Sequence, residues 1–348
     1  VINKLSYDIL RLRFNRGVLD ILEGGPGSGR TVGSRYGHDM GRIPREQNPT
    51  ISAPEDRSNL QDVLISREVS RTEPNSDTRA TSLSFKLYMK FGDEELKTCF
   101  KPKNGECMGR DRQGNLIIPR GEKLRNFVEK GTFYKREILA CVIDRTMGLG
   151  LVPDTDLFVH PEKGIGSAQR WIKGINGEVE DRNNGAGAFD RMQSRFAESH
   201  VDQVEKLFLL DTITGNSDRH GNNIMIDEEN GKLHAIDNGL CIPQRTGSPY
   251  IRISVFDDFK LNPEEKPLSE SSINSINKLL AGKEKVFKAA KKLKMSAADM
   301  RGVEDIFTRA EALKTSGKFL PRTQYYMGNS GTFIRNNRAA VPHVLGRG

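Results

Sequence analysis

The stretch Ser82–Pro102, SLSFKLYMKFGDEELKTCFKP, constrains the fold more than any other part of this chain. Leu83, Phe85, Leu87, Met89 and Phe91 alternate with polar residues, Gly92-Asp93 marks a turn, and ELKTCFKP follows. Alternation at period two around a Gly/Asp turn is the signature of a β-hairpin with one buried face. Whatever surrounds it must pack against a small antiparallel sheet.

The rest of the chain switches period. NFVEKGTFYKREILACVIDRTMGLG, residues 126–150, carries apolar residues at helical spacing and stops at glycines, so a helix is expected. LVPDTDLFVH and IGSAQRWIKG read as two further strands, and the polar, Gly-rich residues 174–198 as an insertion loop. HVDQVEKLFLLDTITGN predicts a helix, NIMIDEENGKLHAIDNG a strand–turn–strand, and the apolar spacing beyond residue 268 more helices. This order predicts an α+β, bilobal protein-kinase-like architecture: a small β-rich N-lobe over 81–174, a larger mainly helical C-lobe over 175–320, and a ligand cleft between them. Residues 1–80, rich in Gly, Ser, Pro and Arg after a short amphipathic helix, and residues 321–348 read as a flexible arm and tail.

Composition narrows the partners. A hydrophobic fraction of 36% in 348 residues fits a chain with poorly ordered ends, and a net charge of +8 favours anionic partners such as nucleotides. Cys99, Cys107, Cys141 and Cys241 form no CxxC pair, which fits reduced thiols in a cytoplasmic setting. No apolar run approaches membrane-spanning length, so no membrane span is expected. Gly-rich tracts like that of the arm recur in phage-encoded structural proteins, a pointer to a bacterial or phage-infected cell.

The chemistry concentrates in TGNSDRHGNNIM, residues 214–225, and in HAIDNG downstream. Asp218, Asn223 and Asp237 offer carboxylate and amide oxygens, which suit a hard cation that also takes substrate phosphates. Taken alone, this pattern fits an Asx-rich turn capping a helix equally well. Lys101, ending the second hairpin strand, and Glu137, on the following helix, complete the order Lys–Glu–Asp–Asn–Asp that phosphoryl transfer uses.

These residues resemble a known group. DRHGNNIM is similar to the catalytic loop of the phosphatidylinositol 3- and 4-kinase-like superfamily, and HAIDNGLCIP to the metal-binding segment of type II phosphatidylinositol 4-kinases and related atypical kinases. Glu137, Ala140, Asp144, Val152-Pro153 and Thr155 fall into the type II helix-and-strand spacing, and Gly166-Ser167-x-Gln169 resembles that family's strand before the hinge. The resemblance implies that Asp218 is the catalytic aspartate and that Asn223 and Asp237 hold Mg2+ or Mn2+. It implies Lys101 on the ATP phosphates with Glu137 as partner, and an adenine hinge near Trp171–Ile175, with Gln169, Trp171 and Ile172 at the nucleotide. His220 matches a loop histidine that orients the site, although a structural histidine fits as well.

Departures accompany the match. Residues 104–121, where phosphate contacts are sought, hold no GxGxxG, and Asp237-Asn-Gly stands in place of DFG. QRTGSPYIRISVFDDF is only mildly basic, so a protein serine or threonine is the expected acceptor ahead of an inositol lipid. A nucleotidyl transferase or pseudokinase on the same fold is an alternative. Gly24–Thr31 approximates a P-loop but lacks the strand–helix context. The lysines of KEKVFKAAKKLK spread around their helix and read as a solvated surface, so a nucleic-acid partner is not expected.

Overall fold

The computed structural model describes residues 68–75, 82–91, 94–106, 124–125, 128–188, 191–192, 196, 199–227, 229–244 and 266–319. The expected N-terminal helix, the P-loop-like tract, most of the arm, residues 107–121 and 245–258, and the tail lie outside the described residues.

A five-stranded antiparallel sheet forms the small lobe, in the order β1-β2-β3-β7-β6. Its strands are β1 (Glu68–Pro74), β2 (Phe85–Phe91), β3 (Glu94–Pro102), β6 (Thr155–His160) and β7 (Gly164–Arg170). The expected hairpin is β2–β3, pairing Phe85 with Phe100 and Phe91 with Glu94. One sheet face closes on Leu87, Met89, Phe100, Phe158 and Ala168, with the Phe100 and Phe158 rings edge-on at 5.8 Å. Alternation therefore turns Lys101 to the opposite face, toward the large lobe.

Residues 68–74, read from composition as arm, form the edge strand β1 against β2. EVSRTEP contributes a single aliphatic side chain, Val69, to the sheet core. Backbone pairing holds it there, and an edge strand with one wet face carries almost no hydrophobic pattern.

Two short strands, β4 (Leu124–Arg125) and β5 (Val128–Glu129), precede α1 (Phe133–Met147). The helix begins later than its apolar spacing predicts because Gly131 takes a positive φ of 88° ahead of it. Helix α1 is apolar almost all round, with Ile138, Leu139, Cys141, Val142, Ile143 and Met147 buried in the main core. It packs on β6 and β7 on one side and on the C-terminal helices on the other, and so belongs to both lobes.

The large lobe holds a small sheet, β8 (Gly174–Ile175), β9 (Ile224–Asp227) and β10 (Leu233–Ala235), in the order β10-β9-β8. Its helices are α2 (Gly177–Asn184), α3 (Val201–Thr214), α4 (Glu270–Ala281), α5 (Lys283–Lys292) and α6 (Ala297–Ser316). Residues 174–198 are thus not simply a loop. Gly174–Ile175 joins β9, and α2 forms because the Asn176 side chain accepts a hydrogen bond from the Val179 N–H at its N-terminus. Among the described residues, no helix is long and apolar enough to cross a membrane.

Candidate active site

The cleft between the lobes is lined from the sheet side by Ser82, Leu83, Ser84 and Lys101. Glu106, Phe133, Tyr134 and Glu137 come from the α1 region, and Asp218, Asp237, Gly239 and Leu240 from the large lobe. Lys101 is the centre. Its Nζ donates to Glu137 Oε1 at 2.5 Å and to Asp237 Oδ1 at 2.7 Å. Glu137 is buried and its second oxygen accepts from the Asn238 N–H at 2.9 Å, whereas the Asp237 side chain is 51% exposed. Burial by itself lowers the Lys101 pKa, but the Asp237 and Glu137 carboxylates more than offset it and hold the ammonium above its ordinary range. Lys101 is a charged donor at any working pH, held on one side by a buried anion and on the other by an open one.

The polar loop gets its shape from Arg219. Helix α3 ends at Gly215, whose φ of 65° is left-handed and turns the chain toward Asn216. The fully buried Arg219 donates from Nε and Nη2 to the two Asp211 oxygens at 2.9 and 3.1 Å, which fixes the loop to α3. Its Nη1 reaches the carbonyls of Asn223 and Ile236, and Nη2 reaches Asn238 Oδ1. One guanidinium thus organises both the 218–223 loop and the segment after Asp237. Asp237 has a φ of 54°, a left-handed conformation that an aspartate tolerates and most side chains do not.

Asn223 is the best-prepared oxygen donor. Its Nδ2 donates to the Asp218 carbonyl at 2.8 Å and lies 3.2 Å from His220 Nε2, which leaves Oδ1 as the amide's available face. An amide oxygen and an exposed carboxylate fit a hard divalent cation that completes its shell with phosphate oxygens and water. Among the described residues, no group of three or more His, Cys, Asp or Glu is placed to hold a metal. His220 is exposed and Asn223, beside it, is buried; neither is among the residues that line the cleft, where Asp218 and Asp237 are.

Three residues expected at the nucleotide lie outside the cleft lining. Gln169 is buried and donates to Thr155 Oγ1 at 2.9 Å, bracing β7 on β6. The Trp171 ring lies under Lys97 Nζ at 4.0 Å and the Trp171 backbone N–H donates to the Lys97 carbonyl at 3.1 Å, so indole and amide are committed to β3. Ile172 is half-buried, and none of the three lines the cleft. Residues 171–173 still form the link from β7 in one lobe to β8 in the other, the position a hinge occupies.

Comparison with known proteins bears on this geometry. Residues 165–303 match the family profile described as phosphatidylinositol 3- and 4-kinase. Over that segment the chain is similar to the phosphatidylinositol 3-/4-kinase-like superfamily. It is 30% identical over 213 residues to phosphatidylinositol 4-kinase gamma 4 of Arabidopsis thaliana, covering 53% of this chain and 35% of that protein. Against phosphatidylinositol 4-kinase gamma 4 of Oryza sativa subsp. japonica it is 31% identical over 164 residues, covering 42% and 27%. The match spans between about a quarter and about a third of those relatives' length. The solved FAT and kinase domain of CtTel1 superposes over 76% of this chain and 23% of that one at 12% identity and a TM-score of 0.36, too loose a fit to transfer residue roles.

Several residues of the kinase-like domain have no obvious signal in the sequence. Among the described residues, the cleft is met by Ser82 and Ser84, just before β2. The Asn75 N–H donates to the Ser84 carbonyl at 2.9 Å and ties the end of β1 to the residue before β2. Glu106 accepts from the Gly131 N–H at 2.5 Å and the Tyr134 N–H at 2.9 Å, and burial pushes its carboxyl up to about 7. It satisfies donors at the start of α1, one turn before Glu137. Arg136, also fully buried, donates to Asp299 Oδ1 at 2.5 Å and to the Ile242 carbonyl at 3.2 Å, tying α1 to α6.

Proposed function

We propose that this cleft transfers the γ-phosphate of ATP to a hydroxyl acceptor, with a divalent cation such as Mg2+ or Mn2+ on Asn223 and Asp237. The observation that carries this reading is the Lys101 ammonium bonded at once to Glu137 and Asp237 in a cleft that Asp218 also lines. When bound, the metal and nucleotide would bring the transferable phosphate and neutralise part of its charge. Lys101 would present N–H donors to phosphate oxygens, and Glu137 would keep it aimed there. Ser82 and Ser84 would offer hydroxyls to the same phosphates. Asp218 would orient the acceptor hydroxyl and take its proton. His220 would act through Asn223, by fixing its amide. Adenine would be read by backbone in the 171–175 link.

The acceptor we favour is a protein serine or threonine, because the chain after Asp237 is only mildly basic. The names of the plant relatives favour an inositol lipid as the second reading. Parallel incubations with γ-labelled and α-labelled ATP test the reaction. γ-label in the protein fraction is the expected result, and γ-label in the lipid fraction transfers the reading to the second acceptor. α-label in an acceptor would mean nucleotidyl transfer, and no transfer at all would overturn the assignment.

A further inference from the structure

The lysine-rich helix α5 does not present its charges all round, as the sequence suggests. Val286, Ala289, Ala290 and the following Leu293 are buried in the core. Lys283, Lys285, Lys288 and Lys291 are exposed, and Lys292 is half-exposed. Packing has sorted the sequence into an apolar underside and a basic outer strip about 15 Å long. Glu284 is the one carboxylate among the ten residues of α5, against five lysines.

The strip has a defined place. Helix α5 runs antiparallel to α1: Gly282 abuts Thr146 at one end, and Lys135 Nζ donates to the Lys294 carbonyl at 2.7 Å at the other. Exposed Lys278 of α4 reaches the C-terminal end of α1 and extends the basic surface. At its other end the strip stands beside the first turn of α1, whose Phe133 and Tyr134 line the cleft.

Lys285, Lys288, Lys291 and Lys292 sit at i,i+3 and i,i+4 spacings, where like charges repel and weaken a helix. A nearby negative surface would relieve that repulsion. The exposed cations of α5 are all lysines, compact point charges on flexible stems, without the planar guanidinium forks that read phosphate or base edges bidentately. No aromatic ring stands on the outer strip to stack a base, since Phe287 packs on Phe307 with centroids 5.5 Å apart. A diffuse anionic potential suits this strip better than a discrete ligand.

We propose that the α5 face docks the protein on a bilayer carrying anionic headgroups. The charge would hold it there electrostatically, with no inserted apolar anchor. Docking is independent of the proposed phosphotransfer, because it is read without ATP. The test is co-sedimentation of the full chain with phosphatidylcholine vesicles with and without phosphatidylserine. Binding is expected only with phosphatidylserine, and is expected to be lost between about 0.1 M and about 1 M salt as the Debye length shrinks. Replacing Lys285, Lys288 and Lys291 together by Gln should weaken vesicle binding about a hundredfold, whereas replacing them by Arg should preserve it. The single Lys288→Gln should weaken it about fivefold, which keeps the test valid if the triple variant folds poorly. No binding to phosphatidylserine vesicles, undiminished binding by the Gln variants, or binding to duplex DNA or an acidic polypeptide in place of vesicles would overturn the proposal.

Discussion

Arg219 and Asp211 form a two-bonded ion pair with both side chains fully buried, at 2.9 and 3.1 Å, beneath the loop that carries Asp218 and Asn223. Burial of both charges is expensive, and the pair is tolerated because the guanidinium also satisfies the Asn223 and Ile236 carbonyls and the Asn238 side chain. Arg219→Met leaves Asp211 buried and alone, and should cost about 3–5 kcal/mol in stability. The double change Arg219→Met with Asp211→Leu should cost less than the single one, because no orphaned charge remains. Urea denaturation of the three proteins checks the order.

Lys101→Met removes the donor shared by Glu137 and Asp237. Loss of a charge-assisted hydrogen bond of about 1.5–3 kcal/mol predicts ATP binding weaker by about tenfold to a hundredfold. Titration of the variant with a non-hydrolysable ATP analogue and Mg2+ measures it.

Gly166 has a steric role next to the same lysine. A Cβ there would lie 2.3 Å from the Lys101 carbonyl and 2.7 Å from the Phe100 ring. Gly166→Ala must therefore push β3 away at Lys101, with an overpacking cost of about 1–3 kcal/mol and weaker nucleotide binding. A variant with wild-type melting and wild-type ATP affinity would contradict this.

How much of this was legible in the sequence depends on the range of each signal. The β2–β3 hairpin rests on local periodicity and the Asp218–Asn223 loop on dense polar spacing, which a linear reading detects. The Lys101–Glu137 pair, 36 positions apart, was legible only through the kinase order and the family resemblance. Strand β1 was not legible, because Val69 is its one aliphatic contribution to the core. The serines at the cleft stayed hidden for the same reason: their place beside β1 cannot be read until β1 is. Arg136 and Asp299 are 163 positions apart and meet only through the packing of α1 on α6. Trp171 sits in the expected link, but its direction depends on Lys97 across the sheet.

Glu106 gives the fold a pH dependence. Burial raises its carboxyl to about 7 from an ordinary value near 4.5, so the folded protein holds this proton more tightly than the unfolded chain. The stability it contributes is present below about 4.5 and is lost as pH rises through about 7, on the order of 3 kcal/mol at most. Glu106→Gln should remove that slope while losing one acceptor for the Gly131 and Tyr134 N–H groups. Denaturant midpoints of both proteins across pH 5 to 8 would show converging stabilities as pH rises, and parallel curves would contradict the assignment.

The central claim is that Asp218 acts on the acceptor while Lys101, Asn223 and Asp237 serve the nucleotide. Its most direct test is Asp218→Asn, with ATP affinity and γ-phosphate transfer measured on the same preparation. The account predicts unchanged Mg2+-ATP binding with transfer slowed by at least about 10²-fold. Transfer at the wild-type rate, or loss of ATP binding in parallel with activity, would contradict it.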